Sequence, residues 1–82
     1  MSSKEKLLQA VLSGQGYKNF RFSDLQTLLS ALGFKMRIRG DHYIFSREEI
    51  PEILNLQPKD GMGKPYQIRQ LREIIVKYGL EV

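Results

Sequence analysis

The sequence predicts one small α+β domain in two layers, a three-stranded antiparallel sheet with helices on one face. Three observations predict it. Residues 34–39, Phe-Lys-Met-Arg-Ile-Arg, alternate strictly between apolar and basic, the period of a half-buried strand. Gly40-Asp41 then offers a two-residue turn into a second run, 42–47, His-Tyr-Ile-Phe-Ser-Arg. On both sides of this hairpin the leucines and isoleucines fall at helical spacing. The 82 residues suffice for one core and not two, so the whole chain, 1–82, is read as one domain.

The elements follow in order. Ser2 with Glu5 three residues on has the form of a capping box. Leu7, Leu8, Val11 and Leu12 then share one helical face, and 13–16, Ser-Gly-Gln-Gly, end the helix. Tyr17, Phe20 and Phe22 lie in the following loop. Aromatics beside basic residues can stack on bases, but packing of the first helix onto the body is the favoured reading. Ser23 is expected to cap a second helix, with Gln26 in the capping-box position and Leu25, Leu28, Leu29 and Leu32 as its buried stripe. Gly33 stands where a left-handed residue closes such a helix.

Gly at the first central position of the hairpin turn suits type II′. A two-residue turn fixes the register: Arg39 opposite His42, Ile38 opposite Tyr43, Arg37 opposite Ile44, Met36 opposite Phe45. Opposed residues share a face. Met36, Ile38, Tyr43 and Phe45 are therefore expected in the core, and His42 on the other face among Lys35, Arg37 and Arg39. A register slipped by one residue would instead bury the histidine.

Residues 48–51 read as a connector and 53–57 as a third strand stopped by Pro58. Residues 59–63, Lys-Asp-Gly-Met-Gly, read as a glycine-rich loop. Pro65 suits the first turn of a last helix with Ile68, Leu71, Ile74, Ile75 and Tyr78 on its apolar face, Arg69, Arg72 and Lys77 on its wet side, and Gly79 at its end. The last four elements, α-β-β-β-α, have the order of the double-stranded RNA-binding domain, preceded here by an extra helix.

Composition narrows the chemistry. Lys and Arg outnumber Asp and Glu by 13 to 9, a net charge of +4, which favours an anionic partner such as nucleic acid. The chain has no cysteine, which excludes disulfides, thiolate nucleophiles and the common zinc sites. No apolar run approaches a membrane span and the first residues lack a signal-peptide pattern, so a cytoplasmic protein is expected.

His42 is the single histidine. Cutting RNA without a metal needs a base for the ribose 2′-hydroxyl and positive charge for the phosphorane. An imidazole among Lys35, Arg37 and Arg39 offers both; the bland alternative is an exposed strand histidine on a solvated face. Three cations on one strand repel unless something anionic sits there, so they read as a phosphate track or as a solvated surface beside Asp41 and Glu48. Lys64 at a helix N-terminus after two glycines reads as a further phosphate anchor. It is not part of a P-loop, since no Ser or Thr follows it. A serine triad lacks its Gly-x-Ser-x-Gly motif. Glu48, Glu49 and Glu52 have the spacing of solvated acids more than of Mg²⁺ ligands.

Phe22-Ser-Asp-Leu25, Leu28-Leu29, Leu32-Gly33-Phe34 and Arg39-Gly40-Asp41-His42-Tyr43-Ile44-Phe45 resemble the HicA toxin family, as does the ending from Lys64-Pro65-Tyr66-Gln67-Ile68-Arg69-Gln70-Leu71 to Tyr78-Gly79-Leu80. The resemblance spans roughly residues 20 to 80 and rests on these parts occurring together; Gly-x-His alone carries nothing. It implies a double-stranded RNA-binding-domain-like core at 21–82, ribosome-independent cleavage of mRNA with no metal or other cofactor, a catalytic histidine at His42, and a cognate HicB-like antitoxin that covers the site. Two departures matter. Asp41 stands where the family often has Ser. Many members carry a second histidine in the third strand, where Asn55-Leu56-Gln57-Pro58 has none. Residues 1–20 extend beyond the shortest members and are expected to stabilise the fold or to pair with a second copy or the antitoxin. Two rival readings remain open: an RNA-binding module without catalysis, and an interaction domain for an acidic protein.

Overall fold

A computed structural model describes residues 3–82. The chain runs α1 (Ser3–Leu12), a single 3₁₀ turn (Tyr17–Asn19), α2 (Phe22–Ala31), β1 (Lys35–Arg39), β2 (His42–Arg47), β3 (Ile50–Leu56) and α3 (Pro65–Tyr78). The strands form one antiparallel sheet in the order β1-β2-β3. This is the α+β architecture expected from the sequence. The capping box expected from Ser2 lies outside the described residues.

One core joins all the helices to one face of the sheet. Leu8 and Val11 of α1, Leu25, Leu28 and Leu29 of α2, Phe45, Leu54 and Leu56 of the sheet, and Ile68, Leu71, Ile74 and Ile75 of α3 are all buried in it. The N-terminal helix is integral to this core. The Tyr17 hydroxyl donates to the Val11 carbonyl, and Arg72 Nε of α3 donates to the Leu12 carbonyl at 3.1 Å. Tyr17, Phe20 and Phe22 are buried, so the aromatic cluster packs the helices and offers no ring for base stacking.

Helix α2 begins two residues earlier than expected. Its cap is Arg21, with no side-chain cap bond, and Ser23 lies inside the first turn. Burial decides this. Phe22 turns inward, its ring 4.8 Å from that of Tyr43, and its N–H donates to the Gly61 carbonyl at 2.9 Å. The loop carbonyl thus takes a donor that the helix end leaves unpaired. At the other end Gly33, with φ of 90°, closes the helix as expected. Its N–H donates to Ser30 O and that of Phe34 to Leu29 O, a Schellman ending with Leu29 and Phe34 both buried.

The hairpin has the expected register, Arg39↔His42 through Met36↔Phe45. Gly40 has φ of 63° and Asp41 keeps negative φ, as type II′ requires. One expectation about the core is overturned. Phe45 is buried and Tyr43 packs against the core, but Met36 is 46% exposed and Ile38 57%. Both point to the correct face, yet β1 is an edge strand that α2 covers only in part, Gln26 Nε2 lying 3.4 Å from Met36 Sδ. The third strand is longer than expected, starting at Ile50. A turn at 48–49 and an irregular register between Phe45 and Arg47 bring Ile50, itself buried, opposite Arg47. Pro51 fits in the strand because β3 is the other edge, where a missing N–H costs no ladder bond.

Candidate nucleic-acid interface

The face of the sheet away from the helices carries the candidate chemistry. Lys35, Arg37 and Arg39 alternate along β1 and share this face with His42, Ile44 and Ser46, their partners in the register. Four of the expected site residues therefore meet on one surface. Arg39 is directly opposite His42 at the hairpin end. A shallow groove of about 250 Å³ continues along the same face, lined by Lys35, Arg37, Ile44, Ser46 and Ile53, with Met36 at its rim. Lys64 is placed differently. It caps α3 and so belongs to the helical layer.

His42 is neither buried nor loose. Its side chain is 46% exposed. Its Nδ1 lies 2.9 Å from Asn55 Oδ1. An amide oxygen only accepts, so this contact puts a proton on Nδ1 and makes Nε2 the basic atom of the neutral ring. Asn55 is opposite Ile44, hence a diagonal neighbour of His42 on the same face. Sequence reasoning missed Asn55 as a site residue. The stretch has no second histidine, and the signal for Asn55 lies in its strand parity, which only the β2–β3 register reveals.

Asp41 Oδ1 lies 3.6 Å from His42 Nε2, within ion-pair range but too far for a hydrogen bond. Its other oxygen accepts from Gln57 Nε2 at 2.6 Å. The carboxylate is thus held at the rim of the imidazole by the residue that follows β3. Two further ion pairs join Arg47 with Glu49 and Lys77 with Glu52. None uses Lys35, Arg37 or Arg39, so these three cations face solvent with no carboxylate against them. Like charges so close on one strand raise the energy of the empty face and favour a bound polyanion.

Two of the three acids with a metal-ligand alternative, Glu49 and Glu52, are engaged elsewhere. Glu49 accepts from Arg47 Nε at 2.8 Å. Its carboxyl lies below its ordinary range through backbone hydrogen bonding and then Arg47. Glu52 accepts from Tyr78 and Lys77 of α3. Among the described residues no group of three or more His, Asp or Glu side chains is arranged to hold a metal ion.

The glycine-rich loop is a built turn. Asp60 and Gly61 both have positive φ, 53° and 75°, and Lys59 and Met62 exchange backbone hydrogen bonds across them at 3.0 and 2.9 Å. Gly63 is buried, and its N–H donates to the Phe20 carbonyl. A Cβ there would stand 2.4 Å from Leu25 Cδ1, so the absence of a side chain is a packing requirement.

The chain matches no protein-family model, and neither a curated protein nor a solved structure matches it. Among the described residues no helix is long and apolar enough to cross a membrane.

Proposed function

We propose that this protein is an endoribonuclease toxin of the HicA type, cutting mRNA independently of the ribosome and of metal, and neutralised by a HicB-like antitoxin in the bacterial cytoplasm. One observation carries the reading. The single histidine stands on the cationic face, about half exposed, with Nδ1 held by Asn55 and the Asp41 carboxylate 3.6 Å from Nε2. The resemblance of the hairpin and helix motifs supplies the family; the site supplies the chemistry.

RNA lies along β1 with its phosphates on Lys35, Arg37 and Arg39, and Lys64 holds a further phosphate. His42 Nε2 takes the proton of a ribose 2′-hydroxyl. The 2′-oxygen bonds to phosphorus and the bond from phosphorus to the 5′-oxygen breaks. The products are a 2′,3′-cyclic phosphate and a 5′-hydroxyl, the leaving oxygen taking a proton from water or from His42 in turn. Arg39 and Arg37 neutralise charge that grows on the phosphorane. Asn55 positions the ring and fixes which nitrogen is the base.

The test is cleavage of purified RNA in the presence of a chelator, wild type beside His42→Ala. The substitution is expected to slow cleavage by about 10²–10⁴-fold and to leave RNA affinity within a few-fold. A 2′-deoxy nucleotide at the cut site should block the reaction. Equal cleavage by His42→Ala ends the catalytic assignment. Induced expression in a bacterial host tests the toxin assignment: growth arrest should be relieved by His42→Ala, with the mutant protein folded and abundant.

The rival reading, RNA binding without catalysis, has one observation in its favour. The Asp41 carboxylate beside Nε2 competes with substrate for the same atom. Wild-type protein that binds RNA and leaves it intact would decide for the rival.

A further inference from the structure

The two edges of the sheet are finished differently. The β3 edge carries Pro51, which has no N–H to offer a newcomer, and Glu52, tied to α3 through Lys77 and Tyr78. The β1 edge has neither device, and all five of its residues are exposed. The closing pair of a two-residue hairpin is hydrogen-bonded, and bonded and non-bonded pairs alternate from there. Counted from Arg39↔His42, Arg37 and Lys35 turn their backbone groups toward β2. Met36 and Ile38 turn theirs outward, presenting donors and acceptors along an open edge. Their side chains are about half exposed as well, at 46% and 57% on the helix side, where Gln26 of α2 reaches Met36 Sδ.

These features choose among occupants. In pairing with a second copy, the outward-bonding Met36 and Ile38 would have to oppose one another. Cation would then face cation on the other side, which disfavours self-association. A strand with acids at alternate positions meets Lys35, Arg37 and Arg39 on one face and leaves its apolar residues to cover Met36 and Ile38 on the other.

We propose that the β1 edge docks an extended acidic segment of another protein, one alternating Asp or Glu with apolar residues, which adds as a fourth strand. The acids then occupy the cations assigned above to RNA phosphate, and docking shuts the RNA face. This inhibitory consequence rests on the proposed function; the docking itself does not.

The experiment uses the isotope-labelled full chain and a blocked peptide of about six residues alternating Glu with Val. Amide exchange at Met36 and Ile38 is expected to slow at least about tenfold when the peptide binds. N-methylation of the peptide at Val, whose amides face β1, should abolish binding, and N-methylation at Glu should leave it. Arg37→Glu should weaken affinity by about tenfold, and a Lys–Val peptide should not bind. The proposal is overturned if the two methylation patterns behave alike, or if the peptide leaves exchange at Met36 and Ile38 unchanged. It also falls if those amides become protected in the free chain as its concentration rises, or only when a short RNA is added. With the RNA reading also correct, the unmethylated peptide inhibits cleavage over its binding range. Protection by the peptide with no cleavage by the free chain would sink the RNA reading and sustain the docking.

Discussion

Along β2, neighbouring residues serve opposite purposes. Phe45 is 2% exposed under the helices, while His42 and Ile44 face outward with the cations of β1. One face of the sheet is packed by α2 and α3, with α1 docked on those two helices; the other has no layer over it. The covered face supplies stability through buried apolar area. The bare face concentrates like charge and the single imidazole, an arrangement that contributes nothing to folding. A small domain has apolar surface enough for one core, so the second face is free for chemistry.

The largest expected effect tests the covered face. Leu54 is fully buried in mid-sheet. Leu54→Ala should cost about 2–5 kcal/mol in chemical denaturation, with RNA affinity unchanged while the protein remains folded. A cost below about 1 kcal/mol would mean that the core does not extend through β3. Next comes Gly63→Ala, which forces a methyl group against Leu25 at a packed corner. A loss of about 1–3 kcal/mol is expected, readable as a lower denaturation midpoint at unchanged slope.

The bare face should respond in the opposite sense. Arg37→Ala is expected to shift stability by less than about 0.5 kcal/mol and to weaken RNA binding. The slope of log affinity against log salt should shallow by roughly 0.7 for one lost phosphate contact. A stability loss comparable to that of Leu54→Ala, with binding intact, would erase the distinction between the faces.

The smallest effect concerns the tie from β3 to α3. Tyr78 donates to Glu52 Oε1 at 2.5 Å and Lys77 to Oε2 at 3.0 Å. The Tyr78 hydroxyl, and then Lys77, hold the Glu52 carboxyl below its ordinary value of 4.5. The same carboxylate raises Tyr78 above 10.0 and Lys77 above 10.5. A depressed acid contributes above its unfolded pKa and loses that contribution as pH falls through the folded value. The raised groups contribute below their unfolded pKa and lose it as pH rises through theirs. The tie is therefore whole between 4.5 and 10.0 and fails on both sides. Glu52→Gln should flatten both limbs of a melting-temperature profile against pH; limbs that stay as steep as in wild type would exclude the tie as their source.

The sequence by itself determined the hairpin, its register and the face on which His42 emerges. Those are local matters: Gly40 permits the turn, the turn sets the pairing, and strand parity does the rest. Helix endings at Gly33 and Gly79 were equally legible, since a left-handed residue leaves its mark in the amino acid chosen. Tertiary structure alone decided the rest. Met36 and Ile38 have the pattern of core residues, and only the reach of the helical layer left them about half exposed. Ser23 has the chemistry of a cap, but burial of Phe22 moved the helix start. Asn55 became the partner of His42 because the irregular register between Phe45 and Arg47 shifts β3 along β2, an offset that strand parity alone does not encode.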